Sequence, residues 1–239
     1  MSEVSLLEVE TERNRVAVLY YAPRRARGIS IVAGHGYSSS KHNLDFLCGF
    51  LSSHGFGVYS LDFPGHKLGA SGGVLNGVDD CIDAMASVVR FARERGDDRA
   101  YTMGHSMGGM TAIFTAALDE RLLGTVAITT GYGRPTSLSA LQKAGATDFR
   151  ASYVVGDALP DLVQGVDARY DALLPRLAGR SAFYVAASRD GMVNPKSVRE
   201  LYERAPDSKW FETIDSDHTY AAENAKAAVL AWLNERHPR

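Results

Sequence analysis

The chain has 239 residues, of which 45% are hydrophobic and 23% charged, and its formal net charge is −2 at pH 7. This composition is ordinary for a globular protein with a sizeable core, and the small net charge gives no sign of a nucleic-acid partner. No stretch approaches the ~20 apolar residues of a membrane span, and residues 1–8 lack the apolar segment of a signal peptide.

Apolar runs alternate with helical patterns along the first half of the chain. Strands are predicted over 16–21, 29–33, 58–61 and 100–103, and helices over 43–54, 78–95 and 109–114. Two cysteines, Cys48 and Cys81, lie in predicted helices without the paired spacing of a disulfide framework or a metal site. A reducing compartment suits such thiols, and we therefore predict a cytoplasmic protein with no metal and no cofactor.

The second half continues the alternation around one irregular segment. Strands are predicted over 124–130, 182–187 and 210–214, and helices over 169–177 and 219–235. Residues 134–165 mix Gly, Pro and polar residues with short apolar clusters, which indicates a small lid inserted in a connection of the sheet. The fold class predicted is therefore α/β: one domain over residues 1–239, with a mostly parallel, doubly wound sheet and this lid.

The sequence Gly104-His105-Ser106-Met107-Gly108 follows a predicted strand and opens a predicted helix. A strand that turns sharply into a helix holds the central serine on an exposed corner, so Ser106 is the candidate nucleophile. The same G-x-S-x-G pattern recurs around Ser71, but turn residues precede it and no helix follows. We therefore expect Ser71 to have no catalytic role.

A serine nucleophile needs a base, and histidine is the usual one because its pKa lies near neutral pH. Seven histidines are present, and His218 alone follows the last predicted strand and precedes the final helix. His35 is expected to make a structural hydrogen bond, and His105 to point away from the active face. His66 is expected to pack in a loop, and the remaining three histidines to be solvated.

The third member of a triad fixes the tautomer of the imidazole. Asp190 follows the strand predicted over 182–187, and the order Ser106, Asp190, His218 is the order of a nucleophile-elbow enzyme. Asp215 and Asp217 are rivals by sequence proximity, but a solvated loop or a helix cap suits them better. Two N–H donors of an oxyanion hole are expected from Met107, after the nucleophile, and from Tyr37, in the loop after strand 29–33.

These elements resemble the group of α/β-hydrolases that includes monoacylglycerol lipases, cinnamoyl-type esterases and serine aminopeptidase-like hydrolases. The resemblance rests on five motifs: His35-Gly36-Tyr37, Asp62-Phe63-Pro64-Gly65-His66, Gly104 to Gly109, Asp190 to Val193, and Asp217-His218. It implies Ser106 as nucleophile, His218 as general base and acid, Asp190 as its partner, and Tyr37 with Met107 as oxyanion hole. The chain departs from the group at Pro64, where arginine is frequent.

The lid should cover Ser106 and shape the substrate pocket. Its apolar residues suit an acyl chain or an aromatic acid, and its small size favours small or medium acyl groups. Candidate substrate contacts are Tyr132, Tyr153 and Leu141. The expected partner is a small-molecule ester or thioester, and the expected reaction is ester hydrolysis through an acyl-enzyme.

Two other hypotheses about the function rely on the same residues. A thioesterase, an acyltransferase or a natural-product tailoring enzyme would share the triad and differ only in the pocket. A ligand-binding protein that retained the fold would not need every part of a working site, and all parts are present here. The sequence indicates neither the natural substrate nor the oligomeric state.

Overall fold

The computed structural model describes residues 3–133 and 152–238. The strands are β1 (Glu3–Glu10), β2 (Arg15–Ala22), β3 (Ser30–Gly34), β4 (Gly57–Leu61), β5 (Ala100–His105), β6 (Gly124–Ile128), β7 (Ser181–Ala187) and β8 (Lys209–Ile214). The helices are α1 (Asp45–Ser53), α2 (Val78–Glu94), α3 (Met107–Leu118), α4 (Leu159–Leu162), α5 (Val166–Leu173), α6 (Pro195–Arg204), α7 (Ala221–Asn224) and α8 (Lys226–Arg236). Short 3-10 turns cover Lys41–Leu44 and Leu174–Leu177.

All eight strands form one sheet in the order β1-β2-β4-β3-β5-β6-β7-β8. The pairs β1–β2 and β2–β4 are antiparallel, and every other pair is parallel. The predicted mostly parallel sheet is therefore confirmed. Because parallel strands end at the same edge, the loops that follow β3, β5, β7 and β8 meet at the carboxyl edge of the sheet.

The sheet is covered on both faces. One face packs against α2, α3, α5 and α6, and the other against α1, α7 and α8. Successive residues of β3 divide between the two cores, with Val32 on the first face and Ile31 and Ala33 on the second. Because both faces of β3 are buried, its sequence is apolar without alternation, as is typical of a central parallel strand.

Besides the short helix α4 within the predicted lid, strand β1 and helix α6 were absent from the sequence prediction. Strand β1 carries acidic residues at Glu3, Glu8 and Glu10, and it pairs only with β2 at the edge of the sheet. Helix α6 begins at Pro195 after the cap residue Asn194, whose side-chain oxygen accepts a hydrogen bond from the Lys196 amide at 2.9 Å. Charged residues interrupt the apolar pattern of both elements, which weakens the signal from which the prediction was made.

The second half of the predicted lid lies within the described residues, and the first half, with Leu141, lies outside them. Residues 152–158 run beside the loop that follows β4. The Val155 amide donates to the Gly65 carbonyl at 2.8 Å, and the Leu75 amide donates to the Val155 carbonyl at 2.8 Å. Helix α4 follows and buries Leu162 against the core. The described half of the lid is thus joined to the body by backbone hydrogen bonds.

Both cysteines lie in helices, Cys48 in α1 and Cys81 in α2, and both are buried free thiols. Burial raises the pKa of the Cys48 thiol to about 12, so it stays protonated and unreactive near neutral pH. Across residues 3–133 and 152–238, every helix is too short or too polar to span a bilayer.

Candidate active site

Ser106 occupies the sharp turn between β5 and α3. Its backbone has φ 54, and its amide donates to the Ile128 carbonyl at 2.8 Å. A positive φ in a residue other than glycine is strained and is retained where the surroundings fix it. A Cβ at Gly104 would lie 2.1 Å from the Gly108 carbonyl carbon, and a Cβ at Gly108 would lie 2.0 Å from the Gly34 carbonyl oxygen. The two glycines are therefore required for this turn.

The other serine of a G-x-S-x-G pattern lies in a different environment. The Ser71 hydroxyl donates to the Asp62 carbonyl at 2.7 Å and accepts from the Ala17 amide at 2.9 Å. These two bonds tie the loop after β4 to strand β2. Ser71 thus links a loop to a strand and is not followed directly by a helix.

His218 and Asp190 form a hydrogen-bonded pair at the carboxyl edge of the sheet. The imidazole Nδ1 lies 2.7 Å from Asp190 Oδ2, and the carboxylate side chain is completely buried. The amides of Met192 and Val193 both donate to Asp190 Oδ1 at 2.8 Å. Since Nδ1 faces the carboxylate, Nε2 is the nitrogen that remains for proton transfer.

His105 supports the loop that carries His218. Its Nε2–H donates to the His218 carbonyl at 2.9 Å, and the two rings lie 4.7 Å apart between centroids. The expectation that His105 points away from the site was wrong in this respect, because its side chain contacts the candidate base. As His105 directly precedes Ser106, this contact brings the His218 loop beside the turn that holds the serine.

No direct hydrogen bond joins Ser106 to His218 among the described residues, although His105, which precedes Ser106 in the chain, contacts His218. Within the described part of the chain, the Ser106 hydroxyl makes no hydrogen bond, and its residue is partly exposed. The corresponding bond in hydrolases is often long without substrate and tightens when substrate binds. The candidate base and its carboxylate are therefore already paired.

The rival carboxylates have other partners. Asp215 pairs with the exposed Arg189 side chain at 2.9 Å, and Asp217 accepts a hydrogen bond from the Tyr220 amide at 3.0 Å before helix α7. Asp215 is thus solvated, as one of the predicted roles had it, whereas Asp217 accepts within the turn that precedes α7 and is not the N-cap residue of that helix. Of the three aspartates, Asp190 is the one bonded to the His218 ring.

The residues expected to form an oxyanion hole lie on the two segments that flank Ser106. Met107 is the first residue of α3, and the N–H groups of a first helical turn have no acceptor within the helix. Tyr37 lies in the loop after β3, where its hydroxyl donates to the Asp157 carbonyl at 3.1 Å. The Tyr37 side chain thus connects this loop to the described half of the lid.

His35 fixes the same loop, as the sequence predicted. Its Nε2 accepts from the Phe63 amide at 3.0 Å, and its Nδ1–H donates to the Gly36 carbonyl at 2.7 Å. The bond accepted at Nε2 requires the neutral ring, with its proton on Nδ1. Burial, and next the neighbouring His66 ring, lower the pKa of His35 to about 3.

A buried ion pair beneath this loop was missed in the sequence. Lys41 Nζ lies 2.6 Å from Asp62 Oδ2, and both side chains are almost entirely buried. Asp62 also accepts from the backbone amides of Lys41 at 2.7 Å and Ala70 at 2.8 Å. Burial alone would raise the pKa of Asp62, but these hydrogen bonds outweigh it and lower the pKa. A lysine in a polar loop carries no sequence signal that it is buried.

Acid should destabilise the protein through its buried neutral histidines. Burial, followed by the effect of the His218 ring, lowers the pKa of His105 to about 3, as for His35. The unfolded chain takes up protons below pH ~6.5 while the folded chain does not, so stability is lost as the pH falls. We expect the free energy of unfolding in urea to fall by about 2–4 kcal/mol between pH 8 and pH 5.

A pair of variants tests the source of that loss. His105→Gln should reduce the pH dependence by about a third to a half, since the buried His35 and His66 also have lowered pKa values and each such group supplies up to about 1.4 kcal/mol per pH unit. Thr125→Ser, a buried substitution that removes no titratable group, should leave it unchanged. An unfolding free energy that is equal at pH 5 and pH 8 would contradict the assignment of neutral buried rings.

Two of the three residues predicted to contact substrate lie within the described residues. The Tyr132 hydroxyl donates to Asp171 at 2.9 Å, and the Arg204 guanidinium lies 3.7 Å from the ring centroid. Tyr153 is 38% exposed, and its carbonyl accepts from the Lys67 amide at 2.9 Å. Their roles in substrate binding, and that of Leu141, remain predictions.

Comparison with known protein sequences finds distant relatives. A Mycobacterium phage D29 protein named "Putative non-heme haloperoxidase" is 29% identical over 178 residues, which cover 73% of this chain and 62% of that protein. The chain thus spans less than two thirds of the phage protein. N-formylmaleamate deformylase of Pseudomonas putida is 27% identical over 222 residues, covering 79% of this chain and 81% of that protein.

Solved structures show the same architecture. The Pyrococcus furiosus esterase Pf2001 superimposes with a TM-score of 0.75 at 19% identity, covering 99% of this chain and 89% of that one. At such an identity the likeness concerns the fold, and it confirms the predicted α/β-hydrolase fold. Residues 31–238 match the family model described as Alpha/beta hydrolase family, and the chain therefore belongs to that family.

Proposed function

We propose that the protein is a serine hydrolase that cleaves carboxylic esters through an acyl-enzyme, with Ser106, His218 and Asp190 as its triad. The observation that carries this proposal is the 2.7 Å hydrogen bond between His218 Nδ1 and the buried Asp190 carboxylate. It is supported by the strained turn at Ser106 and by the contact from His105 to the His218 carbonyl. The family membership makes hydrolysis the expected chemistry.

The reaction begins with attack of the Ser106 hydroxyl oxygen on the ester carbonyl carbon while His218 Nε2 takes the hydroxyl proton. The amides of Met107 and Tyr37 donate to the carbonyl oxygen as it becomes negative, and one such donor is worth ~3 kcal/mol. Collapse of the tetrahedral species expels the alcohol, which receives the proton from His218. Water, deprotonated by His218, then attacks the acyl-enzyme and releases the acid and the free serine.

The acyl group proposed is small or medium in size and apolar. The lid over 134–165 is short, and its described half is tied to the body at Gly65 and Leu75. Tyr132, Tyr153 and Leu141 are the side chains proposed to line the pocket. The single domain and the cytoplasmic location predicted from the sequence belong to the same proposal.

A series of p-nitrophenyl esters tests the size of the acyl group. We expect kcat/KM to be highest for acyl chains of two to eight carbons and to fall by about tenfold or more for palmitate, because one misfit methylene already costs ~1–3 kcal/mol in a pocket. A maximum at sixteen carbons would contradict the small-pocket proposal while leaving the triad intact.

A second panel separates ester hydrolysis from the alternatives. Matched ester, thioester and amide substrates are compared, and a formamide is included because one relative is a deformylase. Preference for the ester supports the proposal, and preference for the thioester favours a thioesterase. Transfer of the acyl group to an added alcohol in place of water favours an acyltransferase.

A further inference from the structure

A polar cavity lies at the edge of the sheet opposite to Ser106. It has a volume of about 980 Å³ and is bordered by Ile29, Gly55 and Arg99, which precede β3, β4 and β5. The candidate catalytic residues follow the carboxyl ends of the strands. Since these strands have five or six residues, the two sites are separated by roughly 17–20 Å.

This arginine cavity is strongly basic. Its lining includes two histidines, His54 and His237, and five arginines: Arg24, Arg25, Arg27, Arg99 and Arg236. No carboxylate belongs to the described lining residues. Among the described residues, one recorded ion pair involves these arginines, between Arg236 and the exposed Glu235 at 3.5 Å. The cavity thus concentrates positive charge in a protein whose net charge is −2.

Two of the guanidinium groups are held in place by the protein. Arg27 lies over the Phe56 ring at 4.6 Å and donates to Asn234 at 2.6 Å. Arg236 lies over the Trp210 ring at 3.3 Å and donates to the Trp232 carbonyl at 2.6 Å. A guanidinium fixed in this way loses less side-chain entropy on binding an anion.

The other arginines retain donors for a ligand. Arg24 and Arg25 are exposed, and neither side chain makes a hydrogen bond or ion pair with any described residue. Arg99 approaches the His237 ring at 3.4 Å. Burial, and then the charges of Arg99, Arg27 and Arg236, lower the pKa of His237, as expected where cations are concentrated.

We propose that the arginine cavity binds a small molecule that carries at least two linked phosphoryl groups, such as a pyrophosphate or a nucleoside diphosphate. Arginine matches phosphate oxygens with paired N–H donors, and several guanidinium groups around one concave site suit more than one phosphoryl group. The volume falls within the range of about 300–1,000 Å³ that is typical of small-ligand sites. Free pyrophosphate and a nucleotide share this chemistry, and binding measurements distinguish them.

Isothermal titration calorimetry of the full chain tests the proposal with inorganic pyrophosphate, ADP and orthophosphate at 50 mM salt. The pocket variant is Arg24→Gln/Arg25→Gln/Arg99→Gln, which changes only exposed side chains. The control variant, Arg15→Gln/Arg90→Gln/Arg199→Gln, removes the same charge from exposed positions outside the cavity. Thermal unfolding checks that both variants fold as the parent chain does.

We expect pyrophosphate or ADP to bind at least about tenfold more weakly to the pocket variant than to the parent chain, and the control variant to change affinity by less than twofold. The tighter of the two ligands identifies the source of the phosphoryl groups. Equal losses in the two variants, or no binding of either ligand at 1 mM, would overturn the proposal. Orthophosphate binding as tightly as pyrophosphate would overturn the requirement for linked phosphoryl groups.

Discussion

Replacing Ser106 with alanine is expected to lower kcat/KM for a p-nitrophenyl ester by roughly 10⁴–10⁶-fold, to the level left by the remaining site. The variant keeps the same Cβ at φ 54, so the strained turn and its hydrogen bond to Ile128 are retained. What is lost is the hydroxyl oxygen that forms the acyl-enzyme. Initial rates measured at several substrate concentrations separate this loss of chemistry from a change in binding.

The chain supplies its own control for that variant. Ser71 has the same G-x-S-x-G context, but its hydroxyl links the Asp62 carbonyl to the Ala17 amide. Ser71→Ala should therefore lower the free energy of unfolding by about 1 kcal/mol and leave kcat/KM within about twofold, since the missing hydroxyl lies outside the proposed site. Loss of activity in Ser71→Ala with retention in Ser106→Ala would reverse the assignment.

Replacing Lys41 with methionine is expected to lower the free energy of unfolding by about 3–5 kcal/mol. Methionine fills a similar volume, but Asp62 is then left as a buried carboxylate that has lost its cation. The backbone amides of Lys41 and Ala70 still donate to Asp62 and compensate only in part. Urea denaturation at pH 7 measures the change.

A double variant shows whether the unpaired charge causes that loss. Lys41→Met/Asp62→Leu removes both charges, and we expect it to be more stable than Lys41→Met alone, because an apolar pair carries no uncompensated charge. A double variant as unstable as the sum of the two single variants would show that the ion pair itself contributes little. Since hydrogen bonding lowers the pKa of Asp62, the contribution of the pair should be complete above pH ~4 and decline as the pH falls below that value toward the lower pKa of the folded state.

The parts of the fold that the sequence predicted are those with strong local patterns. The buried run of β3 and the amphipathic spacing of α2 reveal their elements without any tertiary information. The Ser106 turn was also local, because a strand, two glycines and a helix lie next to one another in the chain. The placement of Asp190 and His218 after late strands followed from the rule that parallel strands end at one edge.

Contacts between segments that are distant in the chain could not be predicted from such local patterns. Lys41 and Asp62 are separated by a helix and a strand, and nothing local marks a lysine as buried. The contact of His105 with the His218 carbonyl spans 113 residues and was not expected from the sequence. The arginine cavity likewise assembles residues from three strand starts and the chain end. Such features depend on packing, which sequence periodicity does not report.

The central claim is that Ser106 is the nucleophile activated by the pair of His218 and Asp190. Labelling the full chain with a fluorophosphonate, followed by mass spectrometry of its peptides, tests this claim most directly, since the probe bonds to an activated serine. We predict one adduct per chain, located on Ser106 and absent from the Ser106→Ala variant. An adduct on Ser71, or equal labelling of the Ser106→Ala variant, would contradict the account.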